Sequence, residues 1–285
     1  MSNTLLSIGH GYSARALARC LAPLGWEVFG TTRSPEKFAA LKAEGVTPLL
    51  FPGGDLTAAL GKATHLLVSA APGENGDPFL ARYGSKLAQR APNLAWVGYL
   101  STTGVYGDHA GGWVTEETPL TPSSRRGLMR VEAEEQWRGT GLPLHIFRLA
   151  GIYGPRRGPF EKIRNGTARR ILKDGQVFSR IHVDDIAQVL LASITSPNAG
   201  AAYNVCDDLP APPQDVLAYA AELLGMAPPP EVRFEEADLS PMARSFYGES
   251  KRVANARIKD ELGVSLLYPD YKTGLQAVLA AETQS

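Results

Sequence analysis

Gly9, Gly11 and Ala14 are the residues of this chain whose types and spacing point most directly to chemistry. They stand in Gly9-His10-Gly11-Tyr12-Ser13-Ala14, after the apolar run Thr4–Ile8 and at the head of a helical pattern. Gly9 permits a tight turn out of a strand. Gly11 lets the backbone approach a pyrophosphate, and Ala14 lets the helix pack close to the sheet. Around Tyr12 and Ser13 the helix would offer N–H groups and a partial positive charge to phosphates. Strand, turn and helix within a βαβ unit are the context that a dinucleotide-binding turn requires.

A second cluster bears on which dinucleotide. The second apolar run ends in Thr31-Thr32-Arg33-Ser34, without the acidic residue that usually binds the ribose hydroxyls of NAD. Arg33 supplies a cationic fork and Ser34 a hydroxyl, both suited to a 2′-phosphate, as is the neighbouring Thr32 position. NADP is therefore the expected cofactor, with NAD as the alternative. Asp55-Leu56 falls where an adenine would be bracketed, although Asp55 after Gly53-Gly54 equally suits a turn. Ala70-Ala71-Pro72 supplies small residues where the backbone passes the cofactor, near the switch point of the sheet. No metal site is expected: Cys20 and Cys206 lie far apart without ligand spacing and read as two free thiols.

The elements that must position these residues alternate. Thr4–Ile8, Glu27–Thr31, Thr47–Phe51, His65–Ser69, Leu94–Ser101 and Leu144–Leu149 read as strands. Between them, helical patterns cover about Ser13–Leu24, Pro35–Glu44, Ala58–Lys62, Pro78–Arg90 and Ser123–Arg138. Such alternation implies βαβ units, a parallel sheet and helices on both faces. Beyond Gly154 the pattern loosens into two short amphipathic pieces. A helix over Val183–Thr195 follows, with Asp184 or Asp185 near its start, then a short strand Tyr203–Val205 and helices over Gln214–Leu224, Lys251–Leu262 and Tyr271–Glu282. In 285 residues, Lys plus Arg and Asp plus Glu balance at 29 each. That balance favours neither nucleic acid nor an anionic membrane as partner. No apolar stretch approaches a membrane span and the N-terminus lacks a signal-peptide pattern, so a soluble cytoplasmic protein is expected.

Several segments in order resemble the extended and atypical short-chain dehydrogenase/reductases, the group of NAD(P)-dependent epimerases and dehydratases. They are the Gly9–Ala14 turn, Leu100-Ser101-Thr102-Thr103-Gly104-Val105-Tyr106-Gly107, Arg148-Leu149-Ala150-Gly151-Ile152-Tyr153-Gly154-Pro155 and Arg180-Ile181-His182-Val183-Asp184-Asp185-Ile186-Ala187. Tyr203-Asn204-Val205 and Ser250-Lys251-Arg252 also fit. The resemblance implies an α/β, doubly wound parallel sheet (Rossmann fold) with a smaller C-terminal substrate domain. The dinucleotide-binding domain would span residues 1–155, with 182–205 returning to it; 156–181 and 206–285 would form the substrate domain. It also implies an oxidoreductase or epimerase acting on a hydroxyl or carbonyl of a small or nucleotide-linked substrate, and a homodimer through the helices Pro78–Arg90 and Ser123–Arg138.

By the same resemblance, Thr102 is the hydroxyl that hydrogen-bonds the substrate oxygen as hydride moves. The family's Tyr-x-x-x-Lys dyad, with Glu four residues beyond the Lys, falls here on Arg126, Arg130 and Glu134. An arginine stays protonated and is a poor general base. Arg126 then reads as an anion clamp or electrostatic stabiliser, and Arg130 as a contact to the nicotinamide ribose. The plain alternative has both on an exposed helical face paired with Glu132 and Glu134. A second reading of the whole follows from this gap: a catalytically impaired dinucleotide-binding sensor or regulator. Tyr83 and Lys86 are only three residues apart, precede Thr102 and read as ordinary helix. Tyr106 and Tyr153 read as packing residues, His182 as a structural hydrogen-bonder, and Arg156-Arg157 as either a phosphate contact or an exposed loop pair.

Overall fold

Short apolar runs separated by amphipathic stretches build one seven-stranded parallel sheet. The computed structural model describes residues 3–90 and 93–283. The first half runs β1 (Thr4–Ile8), α1 (Tyr12–Leu21), β2 (Glu27–Thr32), α2 (Phe38–Ala43), β3 (Thr47–Leu50), α3 (Thr57–Lys62), β4 (His65–Val68), α4 (Pro78–Arg90) and β5 (Trp96–Thr102). There follow β6 (Trp113–Val114), α5 (Arg125–Arg138), β7 (Leu144–Leu149), β8 (Gly151–Tyr153), α6 (Phe160–Arg164), β9 (Arg170–Leu172), β10 (Arg180–His182), α7 (Val183–Thr195) and β11 (Ala202–Val205). The chain ends with α8 (Pro213–Leu223), β12 (Glu231–Arg233), α9 (Pro241–Tyr247), β13 (Arg252–Val253), α10 (Ala256–Asp260) and α11 (Tyr271–Thr283).

The sheet order is β11-β7-β5-β4-β1-β2-β3, with every pairing parallel. The chain winds outward from β1 to β3 and then returns to the other side of β1 with β4. The switch point therefore lies between β1 and β4, where ligands bind in doubly wound sheets. Strands covered on both faces must be apolar along their length, which is why Leu5, Leu6, Leu66 and Leu67 are all fully buried. Leu17, Leu41 and Leu190, from α1, α2 and α7, pack on one face. Leu60, Phe79 and Trp137, from α3, α4 and α5, pack on the other. A separate apolar cluster joins Phe160, Ala220 and Leu275, from α6, α8 and α11.

One polar network crosses the core beside β5. Glu134 on α5 is wholly buried and accepts from Ser101 Oγ at 2.6 Å. It is paired with Arg148 of β7, Nη2 to Oε2 at 2.9 Å. Arg148 in turn donates to the Tyr106 hydroxyl at 2.9 Å, and that hydroxyl donates to Asn204 Oδ1 at 2.7 Å. Buried charges persist only when paired and hydrogen-bonded; here the Glu134 bonds tie α5 to β5 and β7, and the others join β7 to the turn after β5 and that turn to β11.

The structure corrects several element boundaries. Lys251–Leu262 is not one helix: Arg252–Val253 pairs with Trp113–Val114, and helix begins only at Ala256. His109 and Gly111 donate their N–H groups to Ser250 O, so this backbone is claimed by a strand partner. The helix read over Ser13–Leu24 stops at Leu21 and continues as a 3₁₀ turn through Pro23 to Gly25 at φ 73. The stretch Pro35–Glu44 divides into a 3₁₀ turn and α2. Asp184 and Asp185 stand in the first turn of α7, as expected; the ring of His182 is the cap, accepting from Asp184 N at 3.2 Å, and Asp185 accepts from Leu267 N and Tyr268 N.

Removing one member of the buried pair should be costly, because the other charge stays desolvated. Glu134→Leu is expected to lose about 3–5 kcal/mol of unfolding free energy in urea titration. Adding Arg148→Met should recover a large part of that loss. A double variant no more stable than Glu134→Leu alone would contradict this account.

Candidate functional site

At the carboxyl ends of β1, β4, β5 and β7 the strands open onto a cleft of about 940 Å³. One wall is the glycine turn. Gly9 takes φ 77, and a Cβ there would stand 2.8 Å from Ala70 N. Its N–H donates to Thr31 Oγ1 at 2.7 Å, and His10 N donates to Thr31 O at 2.8 Å. Ser69 Oγ donates to the Gly9 carbonyl. The turn is thus held from β2 on one side and from β4 on the other. Gly11 differs: it is exposed, its φ is ordinary for any residue at −100, and a Cβ would meet only Gly9 O at 3.7 Å.

The sequence-predicted residues divide into two groups. Gly9, Gly11, Tyr12, Ser13, Ala71, Pro72, Thr102, Arg126 and Arg130 all line the one cleft. Ala14 and Ala70 lie at its back, Ala14 buried beneath the turn. Thr32, Arg33 and Ser34 are not among the lining residues; Thr32 ends β2 and the other two follow it, with Arg33 exposed and Ser34 N donating to Thr32 Oγ1 at 3.2 Å. Asp55 sits in a turn, accepting from Thr57 N at 3.0 Å and from the Thr57 hydroxyl at 2.6 Å. Leu56 is fully buried, with its N–H on the Tyr83 hydroxyl, so its side chain is not presented to an adenine in this arrangement.

The opposite wall carries the chemistry-bearing side chains. Thr102 ends β5, and its hydroxyl accepts from Gly104 N at 3.1 Å, leaving the O–H to donate elsewhere. Ser124 caps α5 by accepting from Gly127 N. The helix then presents Arg126 and Arg130 toward the cleft. Neither pairs with Glu132 or Glu134, contrary to the exposed-face alternative. Arg130 Nη1 donates to Leu100 O at 2.7 Å and to the Tyr99 hydroxyl at 3.1 Å. Arg126 stacks its guanidinium over Phe246, 4.8 Å from the ring centroid. Glu134 is taken up by Arg148 and Arg138 instead.

Phenols facing the cleft are poorly set to exchange protons near neutrality. Burial raises Tyr12, whose hydroxyl donates to Pro155 O at 2.9 Å. Burial raises Tyr153 much further, helped by Asp207 and Asp185, and its hydroxyl is directed at Asp270 O. Burial also raises Tyr247. Tyr106 is a core residue pushed up to about 12 by burial. Tyr83 and Lys86 are ordinary helix, Tyr83 in the core and Lys86 on Thr57.

The sequence reading missed the remote contributors. Phe246, Tyr247, Glu249 and Lys251 come from α9 and the segment after it, and Arg180 from β10. Lys251 is buried and bound to Glu249 Oε2 at 2.7 Å. Arg180 donates to Phe178 O at 2.8 Å and Ala211 O at 3.1 Å. Near it, burial pushes the Asp207 carboxyl up to about 8. Only the Ser250-Lys251-Arg252 segment and the segment opening at Arg180 carried a signal, and neither carried a role for Lys251 or Arg180.

A doubly wound sheet with a glycine turn at its switch point, facing a hydroxyl at the end of β5, is the architecture of the short-chain dehydrogenase class. The chain belongs to the NAD-dependent epimerase/dehydratase family, whose model matches residues 86–206. It is 31% identical to Protein YeeZ of Escherichia coli (strain K12) over 281 residues, covering 92% of this chain and 95% of that protein. A structure described as a functionally unknown conserved protein from Silicibacter pomeroyi DSS is 61% identical, with a TM-score of 0.94 and 99% of each chain covered. MoeE5 in complex with UDP-glucuronic acid and NAD shares the fold at 18% identity and a TM-score of 0.81, again with 99% of each chain covered.

The buried imidazoles imply an acid-sensitive fold. Burial pushes His10, inside the glycine turn, down to about 4, and does the same to His65 at the start of β4. The unfolded chain takes up these protons near pH 6.5, whereas the folded chain resists until about pH 4. The contribution of these two histidines to stability should be complete above about pH 6.5 and be lost from there toward pH 4, against the opposite slope of the raised Asp207 carboxyl. Urea midpoints measured across that window check this, and a His10→Leu, His65→Leu double variant should flatten the slope.

Proposed function

We propose that this chain is an NADP(H)-binding oxidoreductase or epimerase acting on a hydroxyl or carbonyl of a small or nucleotide-linked substrate. The observation that carries the cofactor part is Gly11. Gly9 is required by the fold, through its positive φ and its approach to Ala70, whereas nothing in the folded chain requires a glycine at 11. A bare, exposed backbone at the mouth of the cleft and the head of α1 matches a ligand that must come close, as a pyrophosphate does. The NAD and UDP-glucuronic acid held by MoeE5 are the kind of pair this reading assigns to the cleft.

Bound there, the dinucleotide supplies hydride exchange at C4 of its nicotinamide. Thr102 donates its hydroxyl proton in a hydrogen bond to the substrate oxygen and fixes its position. Arg130, held by Leu100 O and Tyr99, places a fixed positive charge beside that strand end. Neither arginine of α5 can give up a proton at neutral pH. Water in the open cleft, relayed by the Thr102 hydroxyl, is left to carry it. Arg33, exposed beyond β2, is assigned to the 2′-phosphate.

The Arg126/Arg130 replacement favours a second reading, a dinucleotide-binding sensor or regulator without turnover. The two part on one assay: NADPH that binds while a panel of carbonyls, alcohols and nucleotide sugars yields neither an absorbance change nor an epimerised product supports the sensor. Cofactor binding is tested first, by quenching and transfer of NADPH fluorescence. Gly11→Val should fold with an unchanged melting temperature and bind NADPH at least a hundredfold more weakly. Undiminished affinity would remove the cofactor assignment. Arg33→Ala should lower NADPH affinity about tenfold and leave NADH affinity unchanged; equal effects on both would remove the NADP assignment.

A further inference from the structure

The cleft is strongly cationic. Among the described residues its lining holds Arg126, Arg130, Arg157, Arg180 and Lys251 against a single acid, Glu249. Most of these charges are already engaged. Lys251 is held by Glu249, Arg180 by two carbonyls, and Arg130 by Leu100 O and Tyr99. Arg157 lies over the ring of Tyr12, at the glycine-turn end of the cleft. Arg125, adjacent on α5, points away to Glu74. Arg126 alone on the Thr102 side has no hydrogen-bond or ion-pair partner among the described residues.

What Arg126 does have is a platform. Its guanidinium lies 4.8 Å above Phe246, and stacking on a ring occupies the face of the group while leaving its in-plane N–H donors free. Phe246 is itself 53% exposed, on a helix with no buried residue, so core packing does not explain a large apolar ring there. The first turn of α5 is fixed against the Thr102 turn: a Cβ at Gly127 would stand 2.9 Å from the Gly104 carbonyl oxygen. A preorganised, unpaired cationic fork thus stands beside the hydroxyl assigned to the reacting oxygen.

The geometry points to Arg126, stacked on Phe246, as a subsite for an anionic oxyacid group of the substrate, a carboxylate or a phosphate, close to the carbon that reacts. This rests on the reading of Thr102 as the substrate-orienting hydroxyl. The position that the family gives to a proton-exchanging phenol then serves recognition in this chain, through a charge-assisted fork that a neutral substrate does not engage.

The test reads Arg126 directly. In protein labelled with ¹⁵N-arginine, the Arg126 Nε–Hε resonance is assigned by its loss in Arg126→Gln. Succinate, inorganic phosphate, neutral succinamide and sodium chloride are titrated to 50 mM, with and without saturating NADPH. Succinate or phosphate should shift that resonance saturably, and whichever binds more tightly names the carboxylate or the phosphate source. In saturation transfer, succinate affinity should fall at least tenfold in Arg126→Gln and in Phe246→Ala, and be partly kept in Arg126→Lys. No saturable shift with either anion, an equal response to succinamide or chloride, or unchanged succinate affinity in Arg126→Gln would overturn the subsite. All three variants change exposed side chains, and melting temperatures check that they fold. If NADPH moves no resonance while the anion response survives, the oxidoreductase reading fails and the subsite stands.

Discussion

The buried pair of Glu134 and Arg148 holds the functional end of this fold together. Glu134 links α5 to Ser101 on β5 and to Arg148 on β7, and Arg148 extends the link to Tyr106 and Asn204. A charge pair this deep is a poor source of net stability, since desolvation offsets most of its attraction. Its consequence is geometric. With both carboxylate oxygens and the guanidinium committed, α5 has one rotation and one height relative to β5. That setting places Arg126 and Arg130 on the cleft side and Trp137 in the opposite core. A helix free to roll would scatter the site before it lost the fold.

The same distinction between folding and binding separates the glycines of the opening turn. Gly9 is a packing residue in the strict sense, wedged against Ala70 with its N–H on Thr31. Gly11 answers to nothing inside the protein. Across the cleft, the arginines divide likewise. Arg130 is spent on a strand carbonyl and a phenol, while Arg126 is supported from one face and unopposed on its edge. In both cases the residue without an internal partner is the one to which binding is assigned.

Much of the scaffold was legible from local pattern. β1, β7 and α7 begin and end where periodicity places them, because each is a short apolar run or a long amphipathic one bounded by turn residues. Boundaries failed where non-local pairing decided the backbone. Arg252–Val253 reads as helix until Trp113–Val114 takes its hydrogen bonds, and the pairings of β8 with β10 and β9 with β12 leave no periodic trace in three-residue strands. The glycine turn, Thr102 and both α5 arginines were visible as residues. Phe246 and Glu249 were not, and Lys251 and Arg180 stood in family-like segments without a role, because all four reach the cleft from segments more than fifty residues away from Thr102.

The sequence by itself determined the doubly wound class, the place of the glycine turn and the absence of Tyr and Lys from the expected pair of helical positions. Those depend on residue type and on spacing along the chain, which local sterics and hydrophobic periodicity translate directly. Only the tertiary structure decided what the two arginines face. Spacing on α5 alone equally allowed pairs with Glu132 and Glu134, and that alternative lost because Arg148, fourteen residues on in the chain, claims Glu134 in the core. Arg126 has no acid three or four residues along α5 and takes a ring from α9, since a charge takes the partner that packing brings to it.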